Sequence, residues 1–290
     1  MNTQDLKFFD PEEVFELNPD MKVQLLNVED NYPVVLIDDV YKNPDMVREV
    51  ALSTPVPLKS HFSARRGQLY NFFYNWDTCK TLSKVLIEGL KLDTCLPDKD
   101  VVLDNGKLFA FNVFEPKDFP SPPETYIAPH SDTSIIASVL YLNKDDEAPI
   151  GTGIYQHIPS GLILYPQHDM HFEWICQQYN ISPTDYIDKI VSYDKTSSHG
   201  LQPINSLNLD KKIDEVIYHG SRDVRGESTY TVKGNSEWKL LYESPGTYNQ
   251  LCSYVGGTFH SPLINNTQFC SANYNRINQV FFWDYTENEH

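Results

Sequence analysis

Three short stretches of the chain carry side chains that can do chemistry together. Pro129-His130-Ser131-Asp132 sets an imidazole and a carboxylate two residues apart, just before the apolar run Ser134–Leu142. Gly256-Gly257-Thr258-Phe259-His260 supplies a second imidazole, and Arg276 opens the run Ile277-Asn278-Gln279-Val280-Phe281-Phe282-Trp283. In a strand, residues i and i+2 point to the same side. His130 and Asp132 can therefore grip one ion, with His260 arriving from a neighbouring strand. Two imidazoles and one carboxylate on one face of a metal leave the opposite face open, the ligand pattern of non-haem Fe(II) oxygen chemistry. The open positions suit a bidentate 2-oxo acid and then O2. A guanidinium makes two parallel charge-assisted hydrogen bonds, so Arg276 suits the far carboxylate of such an acid. The competing reading is plainer: His130 and Asp132 form a turn, and His260 is a satisfied core histidine.

The order His-x-Asp, distal His, then Arg on the next strand resembles the Fe(II)/2-oxoglutarate-dependent dioxygenases, in particular their prolyl-hydroxylase-like branch. Phe109-Ala110-Phe111-Asn112-Val113-Phe114-Glu115-Pro116 resembles the strand and turn before that branch's first metal histidine. Tyr141-Leu142-Asn143 resembles its Tyr-Leu-Asn run, and Gly151-Thr152-Gly153 its Gly-Gly-Thr strand. Residues 38–44 resemble the Asp-Asp-Val-Tyr-x-Asn-Pro run of one subfamily. The likeness covers about residues 105–157 and 236–285.

The resemblance implies a double-stranded β-helix of the jelly-roll or cupin kind. It implies Fe(II) held by His130, Asp132 and His260, with 2-oxoglutarate and O2 as cosubstrates. Arg276 and Tyr141 would hold the far carboxylate of 2-oxoglutarate. Asn112 would bond the bound acid or substrate, or else satisfy backbone groups at the rim. Because Asp132 is present, hydroxylation, desaturation or ring closure is implied rather than halogenation. The gaps from Asp132 to His260 and from His260 to Arg276 are longer than the family's, with Asn265-Asn266-Thr267-Gln268 reading as an inserted loop. Arg222 and Arg225 stand as alternatives to Arg276, although neither begins an apolar strand.

Composition bounds the partners. The 290 residues hold 23 Lys and Arg against 40 Asp and Glu, a formal net charge of −17. Such a surface repels phosphate backbones and anionic bilayers, so neither nucleic acid nor membrane is expected as a partner. Five scattered cysteines without a CxxC, and no apolar run after Met1, give the expectation of a cytoplasmic protein with free thiols.

The elements that must position the site are expected as one catalytic domain over 1–290. Residues 1–104 support it, 105–157 and 236–285 form the jelly-roll core, and 158–235 form a helical insertion or lid. The spacing predicts a short helix at Pro11–Leu17 followed by an extended arm. It predicts a buried strand at Pro33–Ile37 and a helix from Pro44, capped by Asn43. Residues 54–77 read as irregular, with Arg65 and Arg66 either reaching a substrate carboxylate or forming a solvated turn. Thr78–Leu92 reads as a helix, and strands are expected at Leu108–Phe114, Ser134–Leu142, Gly151–Tyr155, Trp238–Ser244, Asn249–Val255 and Gln279–Trp283. Helical spacing recurs at Phe172, Ile175, Cys176 and Tyr179, then from Ser182-Pro183, and again over Leu209–Tyr218. His168 and His171 offer a second metal pair, or simply the start of a helix.

The substrate class follows from the lid and the aromatic content: an enclosed small molecule, for instance an amino acid derivative. A peptidyl-prolyl type of substrate is the alternative and would need an open groove. A cupin-like binding protein without turnover is the alternative of another class, and an oxidase with no oxo acid is a third.

Overall fold

The computed structural model describes residues 10–29, 32–53, 65–68, 76–96, 101–103, 110–114, 129–147, 149–166, 169–196, 233–264 and 273–285. Its strands form two antiparallel sheets. The larger runs in the order β1 (Lys22–Val28), β2 (Tyr32–Asp38), β9 (Leu251–Val255), β6 (Ile136–Tyr141), β11 (Arg276–Tyr285), β5 (Ala110–Phe114), β3 (Arg65–Gln68), with β4 (Val101–Leu103) also pairing with β11. The smaller is β10 (His260–Pro262), β7 (Thr152–His157), β8 (Trp238–Glu243). The helices among the described residues are α1 (Pro11–Val14), α2 (Pro44–Ser53), α3 (Trp76–Gly89), α4 (Asp169–Tyr179) and α5 (Pro183–Thr196). Mostly antiparallel β structure with a few helices is compatible with a β-sandwich. Among the described residues no helix is long and apolar enough to cross a membrane.

Register assigns the faces. Tyr141 stands opposite Asn278, Val139 opposite Val280 and Cys252, and Ala137 opposite Tyr254. Asn278 in turn stands opposite Asn112 on β5. Side chains alternate along strands, so these residues share one face of the large sheet. Tyr141 shows that this face looks toward the small sheet, since its hydroxyl bonds Thr152 Oγ1 at 2.8 Å and Ser244 Oγ at 2.6 Å. The other face is tied down by its own bonds. Ser138 Oγ accepts from Ser253 Oγ (2.7 Å) and Trp283 Nε1 (2.9 Å), and Tyr41 OH donates to Gln279 Oε1 (3.1 Å).

Several elements differ from the expectation. The arm after α1 is strand β1, which pairs along its whole length with β2. Within 54–77, expected as irregular, Arg65–Gln68 pairs with β5 as β3. β4 went unread in the sequence, and β11 runs further at both ends than Gln279–Trp283. Asp38 and Asp39 end β2: Asp38 accepts from Gln250 Nε2 (2.6 Å), and Asp39 turns the chain at φ 57°.

Several described residues of 158–235 are part of the core, among them Leu162, Leu164, Trp174 and Tyr186. Leu162 bridges to His157, and Leu164 to Thr258. On α4, Trp174 is buried against Tyr32 and donates to the Leu90 carbonyl (3.0 Å). On α5, Tyr186 OH donates to the Leu164 carbonyl (2.6 Å). The expected helix at Leu209–Tyr218, the loop at 265–268, and the alternatives Arg222 and Arg225 lie outside the described residues.

Candidate metal centre

The site starts from a backbone pairing. His130 and His260 exchange both main-chain hydrogen bonds, His130 N–H to His260 O at 3.0 Å and His260 N–H to His130 O at 2.9 Å. Residues paired directly in an antiparallel ladder put their side chains on one face. The two rings accordingly meet, with centroids 4.3 Å apart. Two more bonds extend the pairing: Asp132 N–H to Gly256 O (2.8 Å) and Gly256 N–H to Ile135 O (2.9 Å). Asp132, two residues past His130, reaches the same face. Its Oδ1 lies 4.0 Å from His130 Nε2 and its Oδ2 3.4 Å from His260 Nε2. One ligand atom from each of His130, Asp132 and His260 lies within 4.8 Å of the other two, close enough for a metal ion to be held among them.

Gly256 and Gly257 make this approach possible. Neither has a positive φ; space is the reason. A Cβ at Gly256 would collide with the Ser134 carbonyl oxygen, and one at Gly257 would come within 2.5 Å of Tyr165 O. Glycine lets two backbones close to a distance that any side chain forbids.

The electrostatics suit a ligand set. His260 Nδ1 lies 2.9 Å from Thr258 O. A carbonyl only accepts, so Nδ1 carries the proton and Nε2 keeps its lone pair toward Asp132. Burial, followed by the neighbouring His130, pushes His260 down to about 4, so its ring is neutral at ordinary pH. Side-chain exposure falls from 47% at His130 to 20% at Asp132 and 7% at His260, so the cluster opens on the His130 side.

Arg276 opens β11 opposite Phe114 and is 2% exposed. Burial pushes its guanidinium down to about 10, against the pull of Tyr141 and Tyr254. A guanidinium only donates, so the Asn278 amide oxygen must face it. In that orientation Asn278 accepts from Arg276 Nη1 and Nη2 and sets its nitrogen 3.2 Å from Asn112 Nδ2. Asn112 is buried and its Oδ1 has no partner. Arg276, Asn278, Asn112 and Tyr141 thus line one face of the large sheet.

Sequence reasoning missed two members of this face. Tyr254, on β9, is fully buried with its ring centroid 4.7 Å from that of His260. Asn278 sits between Arg276 and Asn112. The signal for both was the period-2 pattern of Leu251–Val255 and of the run after Arg276, once the inward parity was known. Of the second histidine pair, His171 alone is among the described residues. His171 is buried with Nε2 3.1 Å from the Ile135 carbonyl, and His168 lies outside them. The side chains of Arg65 and Arg66 also lie outside the description.

No protein-family model matches the chain, and no curated protein matches it significantly.

Proposed function

We propose that this chain is an Fe(II)- and 2-oxoglutarate-dependent oxygenase of the prolyl-hydroxylase-like branch, with its two sheets forming a double-stranded β-helix. The observation that carries the reading is the His130-Asp132-His260 cluster, two imidazoles and one carboxylate converging on one point from two paired segments. The donor set fits Fe(II): two nitrogens and one oxygen on one face, with the other positions left for exogenous ligands. The buried Arg276 supports the same reading. A cation held where burial disfavours it is relieved by an anionic ligand, and a dicarboxylate reaching from the metal would bring one.

Bound iron with 2-oxoglutarate supplies an oxidative decarboxylation: 2-oxoglutarate, O2 and R–H give succinate, CO2 and R–OH. This chain's residues do the rest. His260 is held as the Nε2 donor by Thr258 O. Asp132 would add negative charge and hold the ion together with His130 and His260. Arg276, with Tyr141 and Asn112 beside it, binds and orients the far carboxylate. The inward face of Val139, Cys252, Tyr254 and Val280 keeps water from the reacting centre. We assign a small-molecule substrate, with hydroxylation, desaturation or cyclisation as the outcome, and a cytoplasmic setting. The four described cysteines are unbonded, which suits a reducing compartment.

The test is succinate release by the purified protein with Fe(II), 2-oxoglutarate and O2 across a small-molecule panel. Iron-dependent succinate that disappears in His260→Ala is the expected result. Tight iron binding with no succinate above background would favour a binding protein without turnover.

A further inference from the structure

Most buried phenols of this core whose hydroxyls can be traced have a partner. Tyr141 OH bonds Thr152 and Ser244, Tyr41 OH donates to Gln279, and Tyr186 OH to the Leu164 carbonyl. Tyr32 OH meets Thr258 Oγ1. Tyr254 differs: it is 0% exposed and its hydroxyl has no hydrogen-bond partner. A buried donor left unmade costs the full desolvation of the group, so its retention asks for a reason.

Position supplies one. Tyr254 points from β9 toward the small sheet, on the face that carries Tyr141, Asn278 and Asn112. Its ring packs on His260, and its phenol feels both the Asp132 carboxylate and the Arg276 guanidinium. It therefore stands against the metal-ligand cluster, on the sheet face that also carries the buried Arg276. A phenol hydroxyl donates as well as accepts, so it can hydrogen-bond an anionic oxygen.

We propose that the Tyr254 hydroxyl is a binding group of this site, donating a hydrogen bond to an oxygen of an anionic 2-oxo acid that spans the metal ligands and Arg276. The assignment rests on the 2-oxoglutarate reading and adds a contact to it. It also makes a prediction of two signs. Tyr254→Phe keeps the ring on His260 and deletes only the unpartnered oxygen. The ligand-free variant should unfold at the same temperature as wild type or higher, while its ligand binding weakens.

The experiment is anaerobic calorimetric titration of 2-oxoglutarate into Fe(II)-loaded full-length wild type and Tyr254→Phe, alongside thermal unfolding of both without metal. The expected result is unchanged Fe(II) affinity, an unfolding temperature no lower than wild type, and a Kd for 2-oxoglutarate raised roughly tenfold. An unchanged Kd in a variant whose wild-type parent binds would overturn the assignment alone. So would loss of Fe(II) affinity, which would make Tyr254 a prop for His260. If iron-loaded wild type shows no binding of 2-oxoglutarate, the oxygenase reading falls and this assignment with it.

Discussion

His260 is set up to act as a ligand because three neighbours fix its state. Thr258 O fixes the tautomer, the burial that comes with its place on β10 keeps the ring neutral, and Asp132 faces Nε2. Replacing it with alanine should weaken Fe(II) binding beyond the roughly 10–100-fold that outer-shell losses cost, read by competition with a chelator of known affinity. Tyr141 is a different case, because its hydroxyl already links the two sheets through Thr152 and Ser244. Tyr141→Phe removes the bonds to Thr152 Oγ1 and Ser244 Oγ, the latter keeping its bond from Thr152 N–H, and should cost about 1–2 kcal/mol in urea unfolding. An unshifted midpoint would show that this junction adds nothing to the fold. At this scale the sequence was informative about identity. His-x-Asp and the distal histidine were legible from residue type and spacing. Tyr254 and Asn278 were not, since an aromatic or an amide inside an apolar run reads as core until its facing partner is known.

The elements act as clamps. Asn143, just past β6, accepts from Ile277 N–H (2.8 Å) and donates to Asn275 O (2.7 Å), gripping the backbone on both sides of Arg276. Glu147 accepts from Asn143 (3.0 Å) and pairs with both terminal nitrogens of Arg48 on α2. Asn143→Ala should therefore cost about 2 kcal/mol of stability and weaken 2-oxoglutarate binding while leaving Fe(II) binding intact. Equal losses for iron and oxo acid would contradict a clamp on Arg276. The Gly256 turn is the second clamp. Gly256→Ala drives a methyl into Ser134 O and should cost about 1–3 kcal/mol, shifting Asp132 and lowering iron affinity measurably in the same chelator assay. Elements were legible where burial left a pattern, as in the all-apolar Val34-Val35-Leu36-Ile37 or the face Val47, Val50, Ala51 of α2. They were not legible where pairing alone makes the strand. β3 is Arg-Arg-Gly-Gln with no apolar residue, and β1 is an edge strand largely open to solvent, with Leu25 61% exposed.

At the scale of the whole molecule, the cluster is a product of long-range pairing. The segment 130–132 and strand β10 are far apart in sequence, and backbone bonds between them hold two of the three residues of the cluster face to face. Which segments pair is decided by the assembled sheets, so the sequence could name the three residues of the cluster without showing what brings them together. A metal bridging both segments binds the folded chain only. It should stabilise the protein by about 2.7 kcal/mol at a free concentration 100-fold above its Kd. That gain should appear as a rise in Tm and vanish on adding a chelator. The acidic surface, at −17, favours approach of the cation. The measurement that tests the central claim most directly is anaerobic addition of 2-oxoglutarate to the Fe(II)-loaded protein, watched for the visible metal-to-ligand charge-transfer band. The account predicts a band in wild type, no band in His260→Ala, and a band that needs far more oxo acid in Arg276→Ala. Iron bound by wild type with no band at saturating 2-oxoglutarate would contradict it.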